Sequence, residues 1–142
     1  MDDERRGASA AERTKALIDA SPHEPLTIER LADHAHVSAY HLIREFRCHY
    51  HTTPHQYLMR RRIERAKSLL ADSEVSVTEI CFEVGFESLG SFSDLFHRAV
   101  GWPPTVYRAR CVARRREPRK FIPTCFWIMH HLDAVEATPA LE

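Results

Sequence analysis

Residues 31–57, LADHAHVSAYHLIREFRCHYHTTPHQY, decide the fold, because their pattern returns at residues 80–107 as ICFEVGFESLGSFSDLFHRAVGWPPTVY. Apolar and helix-capping positions recur 49 or 50 residues later; the pairs are Leu31 and Ile80, Ala32 and Cys81, Ala35 and Val84, Ser38 and Ser88, Leu42 and Phe92, Phe46 and Phe96, Pro54 and Pro104, and Tyr57 and Tyr107. One extra residue, Glu87, lies in the turn of the second copy. Such a repeat predicts a tandem of one small structural unit.

Each copy has the layout of a helix-turn-helix: a helix, a break of three or four residues, and a second helix capped by Ser38 or Ser88. Two short helices packed in this way bury one apolar corner and leave the outer face of the second helix free for a major groove. An ordinary helical repeat that uses the same corner without binding DNA is the alternative.

The rest of the chain also predicts helices, and no alternating strand pattern is present. We expect a first helix over 12–20 with Ala16 and Leu17 inward, and a further helix that starts at the Ser76-Val77-Thr78-Glu79 capping box. Thr53-Pro54 starts a long helix that reaches Asp72, and 19 residues of helix measure about 28 Å. One turn of B-DNA measures about 34 Å, so this helix could hold two recognition helices one turn apart.

Composition excludes several classes of protein. The chain has 142 residues, 44% of them hydrophobic, which suits one domain or two very small ones. No stretch has the ~20 apolar residues of a membrane span, and no secretory signal opens the sequence, so we expect a cytoplasmic protein. No nucleophile elbow, phosphate loop or acidic metal cluster is present, which argues against an enzyme.

Charge is balanced over the whole chain but not along it. Residues 38–70 hold seven basic and two acidic residues, and residues 98–120 hold eight basic and one acidic residue. Between them, residues 71–97 hold six acids and no Lys or Arg. Two basic blocks suggest a polyanionic partner touched at two places, although basic residues that simply coat solvated helix faces would give the same count.

The chain resembles the DNA-binding domain of the AraC/XylS family of bacterial transcription regulators over about residues 12–110. The matching stretches are Pro25-Leu26-Thr27-Ile28, Leu31-Ala32, Val37 to Leu42 with Arg44 and Phe46, Pro54 to Leu58, Arg60 to Ala66, Val84 to Ser88, Phe92-Ser93, Leu95-Phe96 and Pro104 to Arg108. The resemblance implies an all-α fold of about seven helices, with two helix-turn-helix subdomains joined by a linker helix. It also implies binding of double-stranded DNA, association with the nucleoid, contact with RNA polymerase and no cofactor.

We divide the chain accordingly into a DNA-binding domain, 1–110, and a basic and apolar C-terminal extension, 111–142. Within the domain we place the first subdomain at about 8–53, the linker helix at 54–72 and the second subdomain at 73–110. Many proteins of this kind carry a further effector or dimerisation domain, for which this chain has no room. We therefore expect a small stand-alone member, with a fragment of a longer protein as the alternative.

The resemblance assigns base reading to the exposed faces of the two recognition helices. Arg44 is the best candidate for a bidentate guanine contact, with a phosphate contact or an ion pair to Glu45 or Glu29 as the alternatives. The candidates for base reading are Ala39, Tyr40, Ile43, Arg44 and Arg47 in the first subdomain and Leu89, Gly90, Ser91 and Asp94 in the second. The candidates for contacts to the DNA backbone are His55, Gln56, Arg61, His97, Arg98 and Arg108.

The two copies depart from the family pattern in different ways. Asp94 replaces a residue that is usually basic, so we expect the first recognition helix to dominate. His36 and His51 occupy turn positions where the family favours glycine and where the second copy has Gly85 and Gly101. We expect a modest cost in stability and no change of fold.

Ten histidines and four cysteines raise the alternative of a metal or redox sensor. The cluster of Cys48, His49, His51 and His55 lacks the spacing of converging ligands, so we expect no metal site. Cys81 lies on a core stripe and is expected to be buried, whereas Cys111 and Cys125 could form a redox pair.

The extension combines a basic arm, 114–120, with an apolar segment, 121–129, that should be covered. It either packs on its own domain or forms a contact with a homodimer mate or another partner. A further alternative is an adaptor that contacts RNA polymerase through the acidic residues of 71–97 and this apolar segment, with little specific DNA binding.

Overall fold

The computed structural model describes residues 7–117, and this part of the chain contains seven helices and no strand, as the sequence predicts. The helices are α1 Ala10–Ala20, α2 Ile28–Ala35, α3 Ala39–Tyr50, α4 Pro54–Asp72, α5 Val77–Glu83, α6 Leu89–Val100 and α7 Pro104–Arg116. The described residues divide into two parts between Val112 and Ala113; both helix-turn-helix motifs lie in the first part, and residues 113–116 form the end of α7.

Side-chain caps set most of the helix starts. Ser38 and Ser88 cap α3 and α6 by accepting a hydrogen bond from the backbone three residues on, each at 3.2 Å. Thr53 and Gln56 form a capping box at the start of α4, and Pro54 takes the first helical position. The long helix has the bounds expected from these residues.

The first helix differs from the expectation. It begins at Ala10, because Ser9 forms a capping box with Glu12, and not at Glu12. Ala16 is exposed, so its expected inward position was wrong, whereas Leu17 is half-buried and packs against the first core as expected. Thr14 and Ile18 also face the core, and both are fully buried.

Two hydrophobic cores lie on α4. The first subdomain, α1 to α3, packs on Leu58 near the start of α4, and its fully buried side chains include Ile18, Leu31, Ala35 and Leu42. The second subdomain, α5 to α7, packs on the later part of α4, and its core comprises Ile63, Ala66, Leu70, Ile80, Cys81, Val84, Phe86, Phe92 and Phe96. Met59 packs against both cores.

The repeated turns place different residues at positions of positive φ. His36 and His51 end α2 and α3 in the left-handed region, at φ 57° and 58°. Gly85 and Gly101 occupy the corresponding positions of the second subdomain at φ 103° and 88°. The expected positive φ at both histidines is confirmed, and the fold is unchanged by it.

Candidate nucleic-acid interface

The first recognition helix, α3, turns three of its five candidate residues outward. Tyr40 is 76% exposed, and Arg44 and Arg47 are also exposed. Residues three and four apart share one face of a helix, so these side chains form a single outer face. We call Tyr40, Arg44 and Arg47 the α3 reading face.

The other two candidates in α3 serve packing at least in part. Ala39 is half-buried against the first core. Ile43 is half-buried beside a small apolar pocket of about 330 Å³ that Leu26, Ile28 and Leu31 also line. Their aliphatic side chains border the reading face and can offer van der Waals contact only.

Glu45, the acidic residue next to Arg44, already has partners within the protein. Glu45 accepts a hydrogen bond from the backbone N–H of Ala11 at 3.3 Å and lies 3.1 Å from His41 Nε2. Within residues 7–117, Arg44 has no ion pair with Glu45 or with Glu29. Of the three roles considered for Arg44, the surface ion pair therefore finds no support.

The start of α1 holds α3 in place. The guanidinium of Arg13 donates to Ala35 O at 2.7 Å, and the contact between Glu45 and Ala11 ties α3 to the first turn of α1. The first contact ties α1 to the end of α2 and the second ties it to α3, and neither uses a side chain of the α3 reading face. They orient the helix while they leave Tyr40, Arg44 and Arg47 free.

The second recognition helix, α6, exposes all four of its candidates, but with weak hydrogen-bonding chemistry. Leu89 is 40% exposed, and Gly90, Ser91 and Asp94 are exposed. Only Ser91 and Asp94 have polar side chains, and Asp94 makes no ion pair with any residue of the described part. The expected difference between the two recognition helices is visible in their exposed side chains.

A groove of about 870 Å³ separates α4 from α6. Its floor is apolar and includes Met59, Ile63 and Leu95. Its rim carries Arg60 and Lys67 from α4 together with Ser91, Asp94 and Arg98 from α6. Three positive side chains thus line the same groove as two base-reading candidates of α6.

The basic residues of α4 fall into two groups that the sequence did not separate. Arg61 Nε lies 3.0 Å from Asp19 Oδ1, and its Nη1 donates to Glu64 at 2.8 Å, so Arg61 is used within the protein. Arg60 and Lys67 have no ion pair within residues 7–117. The expected contact of Arg61 with the DNA backbone stays a prediction, and Arg60 is the neighbouring arginine outside these ion pairs.

Two further backbone candidates also have internal partners. The guanidinium of Arg108 donates to Val75 O and, at 3.4 Å, to Leu70 O, so it supports the loop after α4. The side-chain oxygen of Gln56 accepts from Thr53 N at 3.2 Å and from Thr52 Oγ1 at 3.1 Å. Arg108 and Gln56 thus have roles within the protein, and their expected contacts with the DNA backbone stay predictions. His55, His97 and Arg98 are exposed, as their expected role requires.

Asp19 connects α1 to α4 through a small polar cluster. Tyr57 Oη donates to Asp19 Oδ1 at 2.6 Å, and Lys15 Nζ donates to Oδ2 at 2.8 Å. Burial alone would raise the pKa of the Asp19 carboxyl, but the hydrogen bonds from Lys15 and Tyr57 hold it below its ordinary value. The carboxylate is therefore charged at neutral pH and fixes the first subdomain to α4.

Arg62 is a residue that the sequence interpretation missed. It is only 6% exposed, and burial lowers the pKa of its guanidinium. The signal was present, because Leu58, Arg62 and Ala66 follow one another at intervals of four and share the buried face of α4. A charged residue on such a face requires hydrogen-bond partners within the protein.

The cysteines and histidines are dispersed. Cys48 is exposed and Cys111 is half-buried, while Cys81 is fully buried as predicted, and burial raises the pKa of its thiol. Cys125, the proposed partner of Cys111, lies outside the described residues, as do residues 118–142 of the extension with the end of the basic arm and the apolar segment. No group of three potential metal ligands occurs in the part that the structure describes. None of the seven helices is long and apolar enough to cross a membrane.

Comparison with known proteins gives consistent matches. The family model of a helix-turn-helix domain matches residues 31–110. The transcriptional activator RhaS of Escherichia fergusonii is 40% identical over 85 residues, which are 60% of this chain and 31% of RhaS. The chain spans about a third or less of the length of such curated relatives, which include regulators of Escherichia coli and Pseudomonas aeruginosa.

Solved structures agree with the sequence matches. The DNA-binding domain of AdpA, a global transcriptional factor solved in complex with a target DNA, is 32% identical, with a TM-score of 0.73. The match covers 78% of this chain and all of that domain. A probable AraC family transcriptional regulator from Rhodopseudomonas palustris is 25% identical, with a TM-score of 0.66, over 72% of this chain and 96% of that one.

Proposed function

Because the chain belongs to the AraC/XylS family of helix-turn-helix transcription regulators, we propose that it binds duplex DNA sequence-specifically and regulates transcription. In this proposal α3 and α6 enter two successive segments of the major groove on one face of the duplex. The 19 residues of α4 measure about 28 Å, close to one turn of B-DNA. The AdpA domain, which has the same fold, was solved on its target DNA.

The observation that carries the proposal is the α3 reading face. A helix face with only a structural role would not require an exposed tyrosine and two exposed arginines. Arg44 has no internal anion, so its guanidinium fork is free to pair with guanine O6 and N7. Tyr40 can contact a thymine methyl or the DNA backbone.

The second half of the interface discriminates between bases less well, and it binds DNA mainly through phosphate contacts. Leu89, Gly90 and Ser91 offer little base discrimination, and Asp94 can accept only from cytosine N4. We assign phosphate contacts to His55, His97 and Arg98, and we add Arg60 and Lys67 ahead of Arg61 and Arg108. None of these five proposed phosphate-binding residues forms an ion pair within the described domain.

Salt dependence of duplex binding tests this function. With roughly 4–6 phosphates contacted, log K should fall against log salt with a slope of about −4 to −5. Arg60→Ala and Lys67→Ala should each reduce the slope by about one, whereas Arg61→Ala, the matched control on the same helix, should leave it unchanged. A slope near zero for the unmodified protein would contradict DNA binding itself.

Selection of bound duplexes from a random pool, at a stated salt concentration, tests sequence specificity. We expect a footprint with two half-sites about one helical turn apart, one of them better defined than the other. A pool without enriched sequence would leave only non-specific binding and would contradict specific regulation.

A protein contact on α5 is a second part of the proposal. Phe82 is 55% exposed between Glu79 and Glu83, which gives an apolar side chain with an acidic border. We propose that this surface contacts RNA polymerase while the protein is on DNA, within the bacterial cytoplasm and nucleoid. Phe82→Ala should reduce regulation in a transcription assay without reducing DNA affinity, and a parallel loss of DNA affinity would contradict this role. A homodimer contact is proposed for the extension, whose residues 118–142 lie outside the described structure.

A further inference from the structure

Arg62 connects three parts of the domain that are distant in sequence. Its Nε donates to Pro22 O at 2.7 Å, and its Nη2 donates to Glu24 O at 2.7 Å. Both carbonyls belong to the loop between α1 and α2 in the first subdomain. On the other side, the Arg62 guanidinium lies 5.9 Å from the ring centroid of Phe86, in the turn between α5 and α6 of the second subdomain.

The two loops also touch each other directly beside Arg62. A Cβ added to Gly85 would lie 2.7 Å from His23 O and 3.0 Å from the Arg62 guanidinium. The turn of the second subdomain therefore approaches the backbone of the first so closely that no side chain fits between them. Gly85 and Arg62 together form one contact between the subdomains, separate from the two cores on α4.

This contact fixes orientation more than it fills space. A buried guanidinium with two short hydrogen bonds to fixed carbonyls admits one direction of approach, because both donors lie in one plane. A hydrophobic side chain would fill the same volume without any directional preference. The first subdomain can rotate about α4 only if these hydrogen bonds break, and the second only if Phe86 and Gly85 leave Arg62 and His23 O.

We propose that Arg62, seated against Gly85, is a positioning residue that sets the spacing and phase of the two half-sites that α3 and α6 read. This inference rests on the proposed function and adds what determines the distance between the two reading positions. One base pair more or less between the half-sites shifts one of them by about 3.4 Å along the duplex and by about a tenth of a turn around it. A rigid pair of recognition helices cannot follow that shift, whereas a loosened pair can.

The first test compares duplexes whose selected half-sites are at the preferred separation, one base pair closer and one base pair further apart. We expect the unmodified protein to lose about three- to tenfold in affinity on either change, because α3 keeps the better-defined half-site and only the weaker base contacts of α6 are lost. Arg62→Met keeps an unbranched apolar stem without the guanidinium donors, and should lose less than about threefold. Affinity for a duplex with a single half-site should be the same for both proteins, because α3 and its core are untouched.

Gly85→Ala provides a second variant with a matched control. It places a methyl group against His23 O, whereas Gly101→Ala has the same left-handed backbone and nothing within 4 Å. Both substitutions bear the backbone cost of a positive φ, so only the contact between subdomains distinguishes them. Gly85→Ala should shift or broaden the preferred spacing, and Gly101→Ala should retain the spacing of the unmodified protein.

A measurement without DNA keeps the inference separate from the proposed function. Spin labels at Cys48 and at Leu89→Cys, in a background with Cys111→Ser and Cys125→Ser, report the distance between α3 and α6. The distribution should be narrow with Arg62 and broader with Arg62→Met. If spacing preference and distance distribution both stay unchanged in Arg62→Met and Gly85→Ala, the positioning role is overturned. If no duplex binds the unmodified protein while the distribution still broadens, the proposed function fails and the positioning of the two helices stands.

Discussion

The first recognition helix exposes Tyr40 and Arg44, and the second has Gly90 and Asp94 at the positions that the repeat aligns with them. The buried positions of the two helices show no such divergence, since Leu42 and Phe46 correspond to Phe92 and Phe96 and all four are fully buried. Packing preserved the core of the repeat, while the exposed faces were free to change. A duplicated fold therefore does not imply a duplicated function.

The attachment of the two subdomains to α4 differs in the same way. The first packs on Leu58 and is also held by charged and hydrogen-bonded contacts of Asp19 with Tyr57 and Arg61. Ile63, Ala66 and Leu70 hold the second through apolar packing. The turns differ too, because Gly85 meets His23 O and has no room for a side chain, whereas His36 keeps an exposed one.

The largest expected effect of the asymmetry is at Arg44. Arg44→Ala should lose at least about tenfold in specific affinity and relax preference at one base pair, because an Arg–guanine pair gives about 1–3 kcal/mol of discrimination. Titration against the selected duplex and its single-base variants, at fixed salt, measures both. Arg61→Ala removes the same formal charge from an internal ion pair and is the control. Equal losses in the two variants would reduce Arg44 to a general electrostatic contribution.

The cores should differ at Cys81, which takes the place of Ala32. Cys81→Ser should destabilise the fold by about 1–2 kcal/mol, because a hydroxyl would be buried among apolar side chains. Cys81→Ala, which copies the first subdomain, should cost less than about 1.5 kcal/mol. Cys111→Ser, at a half-buried position, serves as the comparison. Denaturant unfolding measures the free energy of unfolding of all three variants. Equal values for Cys81→Ser and Cys111→Ser would remove the burial argument.

Asp94 tests the weaker half of the interface. Asp94→Ala and Asp94→Arg should leave affinity unchanged or raise it, because a carboxylate is removed from the groove that Arg60, Lys67 and Arg98 line. The same titrations measure the effect. If Asp94→Ala instead weakens binding as much as Arg44→Ala, with loss of preference at a C·G pair, Asp94 reads a base and the two halves contribute equally.

The smallest expected effect lies in the turns. His36→Gly and His51→Gly should stabilise the protein by about 0.5 kcal/mol each, since relief of a left-handed backbone of about 1 kcal/mol is partly offset by the entropy of glycine. Denaturant midpoints at constant slope measure the change. A loss of stability in either variant would mean that the histidine side chain makes a contribution larger than the backbone cost.

The sequence predicted most of the fold because the features that determine it are local. Ser38, Thr53 and Ser76 cap helices through neighbours three residues away, and the repeat aligned the two cores. The first helix was placed two residues late, since Ser9 and Glu12 had not been recognised as a capping box. Local signals thus gave the elements, and errors arose where one cap was overlooked.

The site was predicted less completely, because ion pairing is a tertiary property. Arg60, Arg61 and Arg62 are adjacent in sequence but point to the groove, to Asp19 and to the loop carbonyls of Pro22 and Glu24. A count of positive charge treats them as equal. Only the fold separates the arginine that is free for DNA from the two that hold the domain together.

The sharing of α4 by both cores has a consequence for how the protein folds. Met59 packs against both, and each core lacks one wall without this helix. Opening of α4 would expose both apolar clusters at once, so the two subdomains should melt in a single cooperative transition. A cut within α4 would leave two fragments, neither of which could close its core, even though the sequence reads as two copies of one unit.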